Sequence, residues 1–396
     1  MKNKLSKRAN TGERLFTAMC QKQSIQNAAE QTGGSHKPKI FVAMSGGVDS
    51  SVSAALLKKE GYDVIGVFMS AWRADFLECA RGDDRREAMR AAAHLKIPFL
   101  TFDIEKEYKK EVVNYMIAEY RAGRTPNPDV MCNKHIKFGL FLKRAREMGA
   151  DYIATGHYAQ IVRCKAQSVK HKNVTRYTLH ASRDKNKDQS YFLWTLTQEQ
   201  LRYTLFPVGA YTKPEVREMA RKFGLPNAER KESQGVCFVG EFNMKDFLKH
   251  YLKEKKGAVL NEKGEIIGSH DGVFFYTLGE RHGFMIVEKT HHDSPYYVVR
   301  KDVKKNTITV SHEKNQDRSS TKEVRIKNPN FISGSAPDLK KKYTARVRYR
   351  QPLQNSTIKI QKSKTIVLFE KSQIAAPGQS LVLYGEEGCL GGGIIV

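Results

Sequence analysis

From Lys39 onward, short apolar runs alternate with longer amphipathic stretches. Apolar runs over 40–44, 64–69, 99–102 and 152–155 are the length of buried strands. Between them lie helical patterns over 52–61, 85–95, 105–123 and 136–148. Strands separated by helices of this length predict an α/β fold built on a parallel sheet with helices on both faces. Such sheets bind ligands at the carboxyl ends of their strands. Residues 161–186 read as a two-stranded excursion with a basic tip, and 214–223 as a helix ending at Gly224-Leu225-Pro226. From about Gly257 the texture changes to short β-rich runs at 258–260, 272–278, 296–299, 307–310, 343–349, 358–360, 366–369 and 380–384. Many short strands without intervening helices predict a barrel or sandwich.

The first strand runs directly into Met44-Ser45-Gly46-Gly47-Val48-Asp49-Ser50-Ser51 and a helix follows. A strand turning through two glycines onto a helix start leaves backbone N–H groups pointing into a concavity, where the helix dipole favours negative charge. The pattern is a phosphate seat. The hydroxyls of Ser45, Ser50 and Ser51 can donate to phosphate oxygens, and Asp49 can hold either the loop or a magnesium ion. The Walker ending and the three-glycine dinucleotide pattern are both absent. The full Ser-Gly-Gly-Val-Asp-Ser string resembles the pyrophosphate loop of the ATP pyrophosphatases, which cleave ATP between the α and β phosphates and adenylate a substrate oxygen.

At 396 residues the chain predicts two or three domains. Its 40% hydrophobic content and negative mean hydropathy describe a globular protein. No apolar run spans a bilayer and no secretory core opens the chain, so a cytoplasmic protein without a membrane partner is expected. A formal charge of +26 points to a polyanionic partner, nucleic acid ahead of membrane. Residues 1–37 are basic and acid-poor and read as an extension, with a transit peptide as the alternative. Arg346, Arg348 and Arg350 alternate, which on a strand aligns them as a rail for an RNA backbone.

The six cysteines are too irregular for a disulfide framework, and no Cys-x-x-Cys pair suggests a metal site. Two of them sit in unusual loops. Arg124 to Asn133 holds Pro126 and Pro128, which predict a stiff loop, and Asn133 is a candidate cap for the helix that follows. Cys132 would then lie at a helix mouth, where the dipole lowers a thiol's pKa, and Asp129 could accept a proton. Cys237, in Gln234-Gly235-Val236-Cys237-Phe238, has apolar neighbours and on its own reads first as a buried core thiol. Lys187-Asp188-Gln189 forms a polar head on the aromatic run ending at Trp194.

Taken together, 45–50, 123–134, 154–158, 187–193, 235–238 and 388–393 resemble, in order, the tRNA-specific 2-thiouridylase family, over about residue 39 to the end. The resemblance implies four segments: a basic extension (1–37), an ATP pyrophosphatase domain (38–208), a central domain carrying the Cys237 loop (209–270) and a C-terminal β-barrel (271–396). It implies ATP, with magnesium, against Ala43, Met44, Ser45, Gly46, Gly47, Val48, Asp49, Ser50, Met69 and Gly156. Cys132 would be the nucleophile, Cys237 the persulfide carrier and Asp129 the acid/base group. Asn127, Pro128 and Asp129 would frame an extruded base, and His157, Lys187, Asp188, Gln189, Arg348, Tyr349 and Gln379 would touch tRNA. The partners implied are tRNA and an upstream persulfide donor, with the enzyme a monomer when free. Gln234 departs from the Thr or Ser expected there. Three other readings stay open: an ATP pyrophosphatase acting on RNA without sulfur, an RNA-binding protein with a vestigial nucleotide loop, and an iron–sulfur cluster on Asp129, Cys132 and Cys237.

Overall fold

A computed structural model of the chain describes residues 37–74, 76, 82–166, 174–231, 243–287, 294–312, 320–361, 364–386 and 388–396. The basic extension before residue 37, the tip of the 161–186 excursion and the Cys237 loop lie outside the described residues.

The first domain is a parallel five-stranded sheet of β1 (Lys39–Ala43), β2 (Asp63–Ser70), β3 (Phe99–Asp103), β4 (Tyr152–Ala154) and a short strand Thr204–Leu205. The order across the sheet is β3-β2-β1-β4 and then the short strand. Central β1 is buried on both faces, which is why it reads as a continuous apolar run and not as an alternation. Ile40, Val42 and Met44 pack in one core with Val64 and Phe68, whereas Phe41 and Ala43 pack in another with Val67, Met69 and Ile153. Helix α1 (Val48–Lys59) follows β1, and α2 (Gly82–His94) follows β2. Two longer helices, α3 over 105–121 and α4 over 128–147, precede β4. Both contain a wider π-wound stretch, Lys109–Asn114 and Cys132–Phe141. After β4 come the antiparallel pair β5 (Ala159–Ala166) and β6 (Val174–Ala181), and then the short strand, which is β7. Helices α5 (Gln198–Arg202) and α6 (Lys213–Lys222) complete this half, each entered through a Thr capping box.

The start of α4 differs from the expectation. The two prolines do not keep a helix out of this segment: Pro128 is the first residue of the helix, where its missing N–H has no partner to lose. The cap is Asn127, whose Oδ1 accepts from the Val130 N–H at 3.3 Å. Asn133 lies inside the helix instead, donating from Nδ2 to the Phe192 carbonyl at 3.0 Å.

Helix α7 (Met244–Lys249) opens a second unit, the sheet β8 (Gly257–Leu260), β9 (Ile266–His270), β10 (Met285–Ile286), β11 (Tyr297–Asp302) and β12 (Thr307–Ser311). Its order is β10-β9-β8-β12-β11. The strand expected over 272–278 is a 3-10 turn, Val273–Phe275. Its buried apolar residues plug the end of the sheet core beside Val259 and Val298, so burial there produces no ladder.

The third unit comprises β13 (Thr321–Phe331), β14 (Tyr343–Arg346), β15 (Gln354–Gln361), β16 (Lys364–Gln373), β17 (Ser380–Gly385) and β18 (Gly388–Ile395). They run antiparallel in the order β13-β16-β15-β14-β17-β18, and a β13–β18 pairing closes the barrel. Pairing of β18 with β6 at Cys389 and Leu179 ties the barrel to the first domain. β14 ends at Arg346, so the three arginines do not form one strand face. Arg346 is paired and partly buried, and Arg350 has a left-handed backbone with φ +62°. The backbone rail read from Arg346, Arg348 and Arg350 is therefore not formed.

Candidate active site

The loop expected to seat phosphate lies where β1 gives way to α1. Gly47 is the residue before the helix, in extended conformation, and Gly46 has φ +80°. A Cβ on Gly46 would lie 2.3 Å from the Asp84 carbonyl oxygen and 2.8 Å from Arg230 Nη1. Gly46→Ala therefore combines a left-handed penalty of about 1–2 kcal/mol with a backbone clash. The expected result is at least a tenfold weaker ATP affinity, on the order of the 1.4 kcal/mol that a decade requires, with fluorescent-nucleotide titration as the check. The loop is knitted by its serines. Ser50 Oγ and Ser51 Oγ donate to the Gly47 carbonyl at 3.0 and 3.1 Å, and Ser50 Oγ accepts from the Ser45 N–H at 3.2 Å. Asn227 Nδ2 donates to the Gly46 carbonyl at 2.8 Å and to Ser51 Oγ at 2.9 Å, and Arg230 bridges Gly46 and Asp84.

Asp49, in the first turn of α1, accepts from Tyr158 Oη at 2.8 Å and from Lys213 Nζ at 2.6 Å on the same oxygen. Lys213 is a buried cation beside the seat, delivered by the start of α6. Sequence reading missed Lys213, Tyr158, Asn227, Arg230 and Asp84. The Lys-Pro at the head of a capped helix was the available signal, but nothing local shows which side of the sheet that helix meets. Gly156 packs on the same turn: a Cβ there would lie 2.8 Å from the Ser50 nitrogen. Met69, at the end of β2, is buried in the sheet core.

Cys132 is fully buried, one turn into α4 and not at its mouth, with Asp129 in the first turn of the helix. A run of contacts joins it to the phosphate seat. From Asp49 it passes to Tyr158, whose backbone exchanges two bonds with Gln189: Tyr158 N–H donates to Gln189 Oε1, and Gln189 N–H donates to the Tyr158 carbonyl. The 3-10 turn Ser190–Leu193 follows Gln189, and its Phe192 carbonyl receives Asn133 Nδ2, next to Cys132.

The residues expected at tRNA divide. Gln379 Nε2 donates to the Thr125 and Pro126 carbonyls at 2.9 and 3.2 Å, immediately before Asn127. Tyr349 packs against Phe192, with ring centroids 4.5 Å apart, and Arg348 donates to the Leu278 carbonyl at 2.8 Å. The Lys187 N–H donates to the Asp184 carbonyl and carboxylate. Asp188 is buried and accepts from the Ser182 and Ser190 N–H groups and from Arg346. His157 is buried between Phe138 and Phe206, with Nδ1 2.6 Å from Thr155 Oγ1.

Burial, with Lys137 adding to it, holds the His157 imidazole well below its ordinary range. The unfolded chain therefore binds that proton more readily, and the stability that His157 contributes as a neutral ring is lost as pH falls below about 6.5. His157→Gln is expected to flatten the acid limb of stability against pH by up to about 1.4 kcal/mol per pH unit, measured by urea unfolding between about pH 6.5 and 5.

Three family models cover the chain in series: a tRNA methyl transferase HUP domain over 38–241, a tRNA methyl transferase PRC-barrel domain over 245–312 and an aminomethyltransferase beta-barrel domain over 321–395. Among curated proteins, the tRNA-specific 2-thiouridylase MnmA of Streptococcus thermophilus is 45% identical over 363 residues, 91% of this chain and 95% of that protein. The chain belongs to the tRNA-specific 2-thiouridylase family. The MnmA protein of Streptococcus agalactiae is likewise 45% identical, over 90% of this chain and 95% of its own. Among solved structures, the U34-tRNA thiolase NcsA of Methanococcus maripaludis, with its [4Fe-4S] cluster, aligns with a TM-score of 0.33 and 15% identity over 59% of this chain and 74% of that one. That likeness is too low to carry anything about this 2-thiouridylase-family chain. Among the described residues, no helix is long and apolar enough to cross a membrane.

Proposed function

We propose that this protein is an ATP-dependent tRNA sulfurtransferase that converts the wobble uridine of tRNAs for lysine, glutamate and glutamine to 2-thiouridine. The relatives' names support tRNA as the substrate and 2-thiouridine as the product, and the unbroken run of contacts from Asp49 to Asn133 carries the chemistry. It makes the nucleotide seat and the Cys132 helix parts of one structural unit. The domain models are named for methyl transfer. A sulfur reading is favoured because the chain offers two thiols far apart in sequence, Cys132 on α4 and Cys237, together with an adenylating phosphate seat.

In this reading the C2 oxygen of uridine attacks the α-phosphate of ATP, which enters with its magnesium ion, and pyrophosphate leaves. The poor carbonyl leaving group becomes AMP. Backbone N–H groups of 46–50 and the Lys213 ammonium would hold the phosphates, and Asp49 is the carboxylate of this loop that would hold the magnesium ion, which would offset the phosphate charge. A persulfide on Cys237, loaded by an upstream donor, supplies sulfur, and Cys132 completes the exchange. Asn127, Pro128 and Asp129 frame the base, whose extrusion costs a few kcal/mol. Cys132 is buried, so the segment over it must shift when tRNA docks. The surplus of basic charge is the electrostatic partner of the tRNA backbone, and the enzyme acts as a monomer in the cytoplasm.

The test is tRNA-dependent pyrophosphate release coupled to incorporation of labelled sulfur. Orthophosphate release, or labelling without ATP, refutes the reading. A second expectation follows from the charge of +26: tRNA affinity should fall at least about tenfold between 50 and 200 mM salt, because each neutralised phosphate releases counterion. A flat response in a filter-binding series would show that the basic surface does not face RNA.

A further inference from the structure

Residues 123–126, the link from α3 into the Asn127-capped helix, are held by all three domains. On one side stands the central sheet. Lys301, on β11, donates from Nζ to the Gly123 carbonyl at 3.1 Å and also to the Tyr276 carbonyl of its own domain. Val303 lies where a Cβ on Gly123 would fall, 2.2 Å from its Cγ2, and Thr125 Oγ1 donates to Thr277 Oγ1 at 3.2 Å. On the other side stands the barrel. The Thr125 N–H donates to the Pro377 carbonyl at 2.8 Å, and Gln379 takes the Thr125 and Pro126 carbonyls. Gly378 is pressed so close that a Cβ there would lie 2.8 Å from the Thr125 oxygen. The first domain contributes a two-pronged bond from Arg124 to Glu119, at 2.6 Å on each oxygen.

Resting on the sulfurtransferase reading, we propose that Lys301 and Gln379 are positioning residues for the reaction. Through the 123–126 link, the central domain and the barrel fix the stretch 127–132, so both outer domains set the rate of thiolation as well as the affinity for tRNA. The link has little freedom of its own. Thr125 has both backbone polar groups bonded to the barrel and its hydroxyl to the central domain, and Pro126 fixes its own φ and restricts the backbone of Thr125 before it. Asn127, the cap of α4, comes next, and a shift passed along a capped helix start moves Asp129 and Cys132 as one body. Lys301 bears the cost of its place: burial pushes its ammonium down to about 8, with Glu280 opposing that shift. A cation desolvated to hold two backbone carbonyls in different domains is a junction built for position, and Gln379 does the same work from the barrel.

The experiment uses the full-length enzyme with tRNA and a sulfur donor. Lys301→Met and Gln379→Ala should each lower the single-turnover thiolation rate at saturating tRNA by about tenfold or more, the scale that an ångström of misplacement costs. For Lys301→Met the Kd for tRNA should stay within about threefold, because this side chain is spent on backbone carbonyls, whereas Gln379→Ala, at a position also expected to touch tRNA, is read by its single-turnover rate at saturating tRNA. Alkylation of the peptide bearing Cys132 should quicken, while the buried barrel thiol Cys389 stays protected and reports that the fold survives. Thr277→Val, which removes one hydroxyl contact, is the milder variant and should show the same split on a smaller scale if Lys301→Met exposes both thiols. Unchanged rates in the folded variants, or a loss entirely in tRNA Kd, overturn the positioning role. A wild-type enzyme that transfers no sulfur overturns the functional reading instead, so the two failures are distinct.

Discussion

Cys132→Ala is expected to cut sulfur incorporation by at least about 10⁴-fold, the scale on which removal of a covalent nucleophile falls, while single-turnover pyrophosphate release with tRNA continues within a few-fold. In the proposed reaction adenylation precedes sulfur delivery and uses the seat on α1, whereas Cys132 sits on α4. The variant also separates two routes. If the Cys237 persulfide attacks C2 directly, AMP leaves and a C2–S–S–Cys237 linkage forms. The Cys132 thiolate must then attack the Cys237 sulfur, releasing 2-thiouridine and leaving a Cys132–Cys237 disulfide. Without Cys132 the linkage accumulates, and a covalent enzyme–tRNA band sensitive to reductant appears. If Cys132 instead cleaves the persulfide first to free sulfide, the same disulfide results but no band forms in the variant. Full thiolation by Cys132→Ala would remove this residue from the chemistry altogether. The same disulfide requires Cα atoms within about 7 Å, so its detection by mass spectrometry after one turnover of the wild type is a direct check that the two thiols meet.

Much of this architecture was legible in the chain because the strongest signals were local. A doubly buried strand feeding two glycines and a helix start needs no tertiary information, and Gly46 has the left-handed backbone that its sequence position suggested. The α4 entry was misread because the choice between Asn127 and Asn133 as cap depends on whether Pro128 begins a helix or blocks one, and proline permits either. Two barrel strands went unseen for different reasons. β13 exposes alternate charged residues and buries only Val324 and Ile326 deeply, and β18 carries three consecutive glycines, so neither shows β-propensity despite both being paired along the barrel seam. Lys213, Asn227 and Arg230 reach the phosphate seat from more than 160 positions away, and only the packing of α6 on α1 brings them there. The alternation of Arg346, Arg348 and Arg350 predicted a shared face, but periodicity cannot show where a strand stops.

Arg346 gives the other large effect, on stability. Its side chain is 11% exposed and pairs with Asp188, 8% exposed, at 2.8 Å. It also donates to Tyr384 Oη at 2.6 Å, and that hydroxyl lies 3.2 Å from Ser190 Oγ. Two of these residues belong to the first domain and two to the barrel, so the network is a polar rivet between them. Removing one partner of such a pair strands a buried charge, at a cost of about 3–5 kcal/mol. Arg346→Met should therefore lower the urea midpoint sharply, whereas tRNA affinity measured where the variant is still folded should change by less than about threefold, the share of one peripheral phosphate contact. The partner's other bonds shape the rescue. Asp188 also accepts from the Ser182 and Ser190 N–H groups, so an apolar replacement would orphan two donors. Asn keeps an acceptor and loses the charge, and Asp188→Asn combined with Arg346→Met should recover at least half of the loss. An Arg346→Met protein of unchanged stability that binds tRNA about tenfold more weakly would return this arginine to the RNA surface.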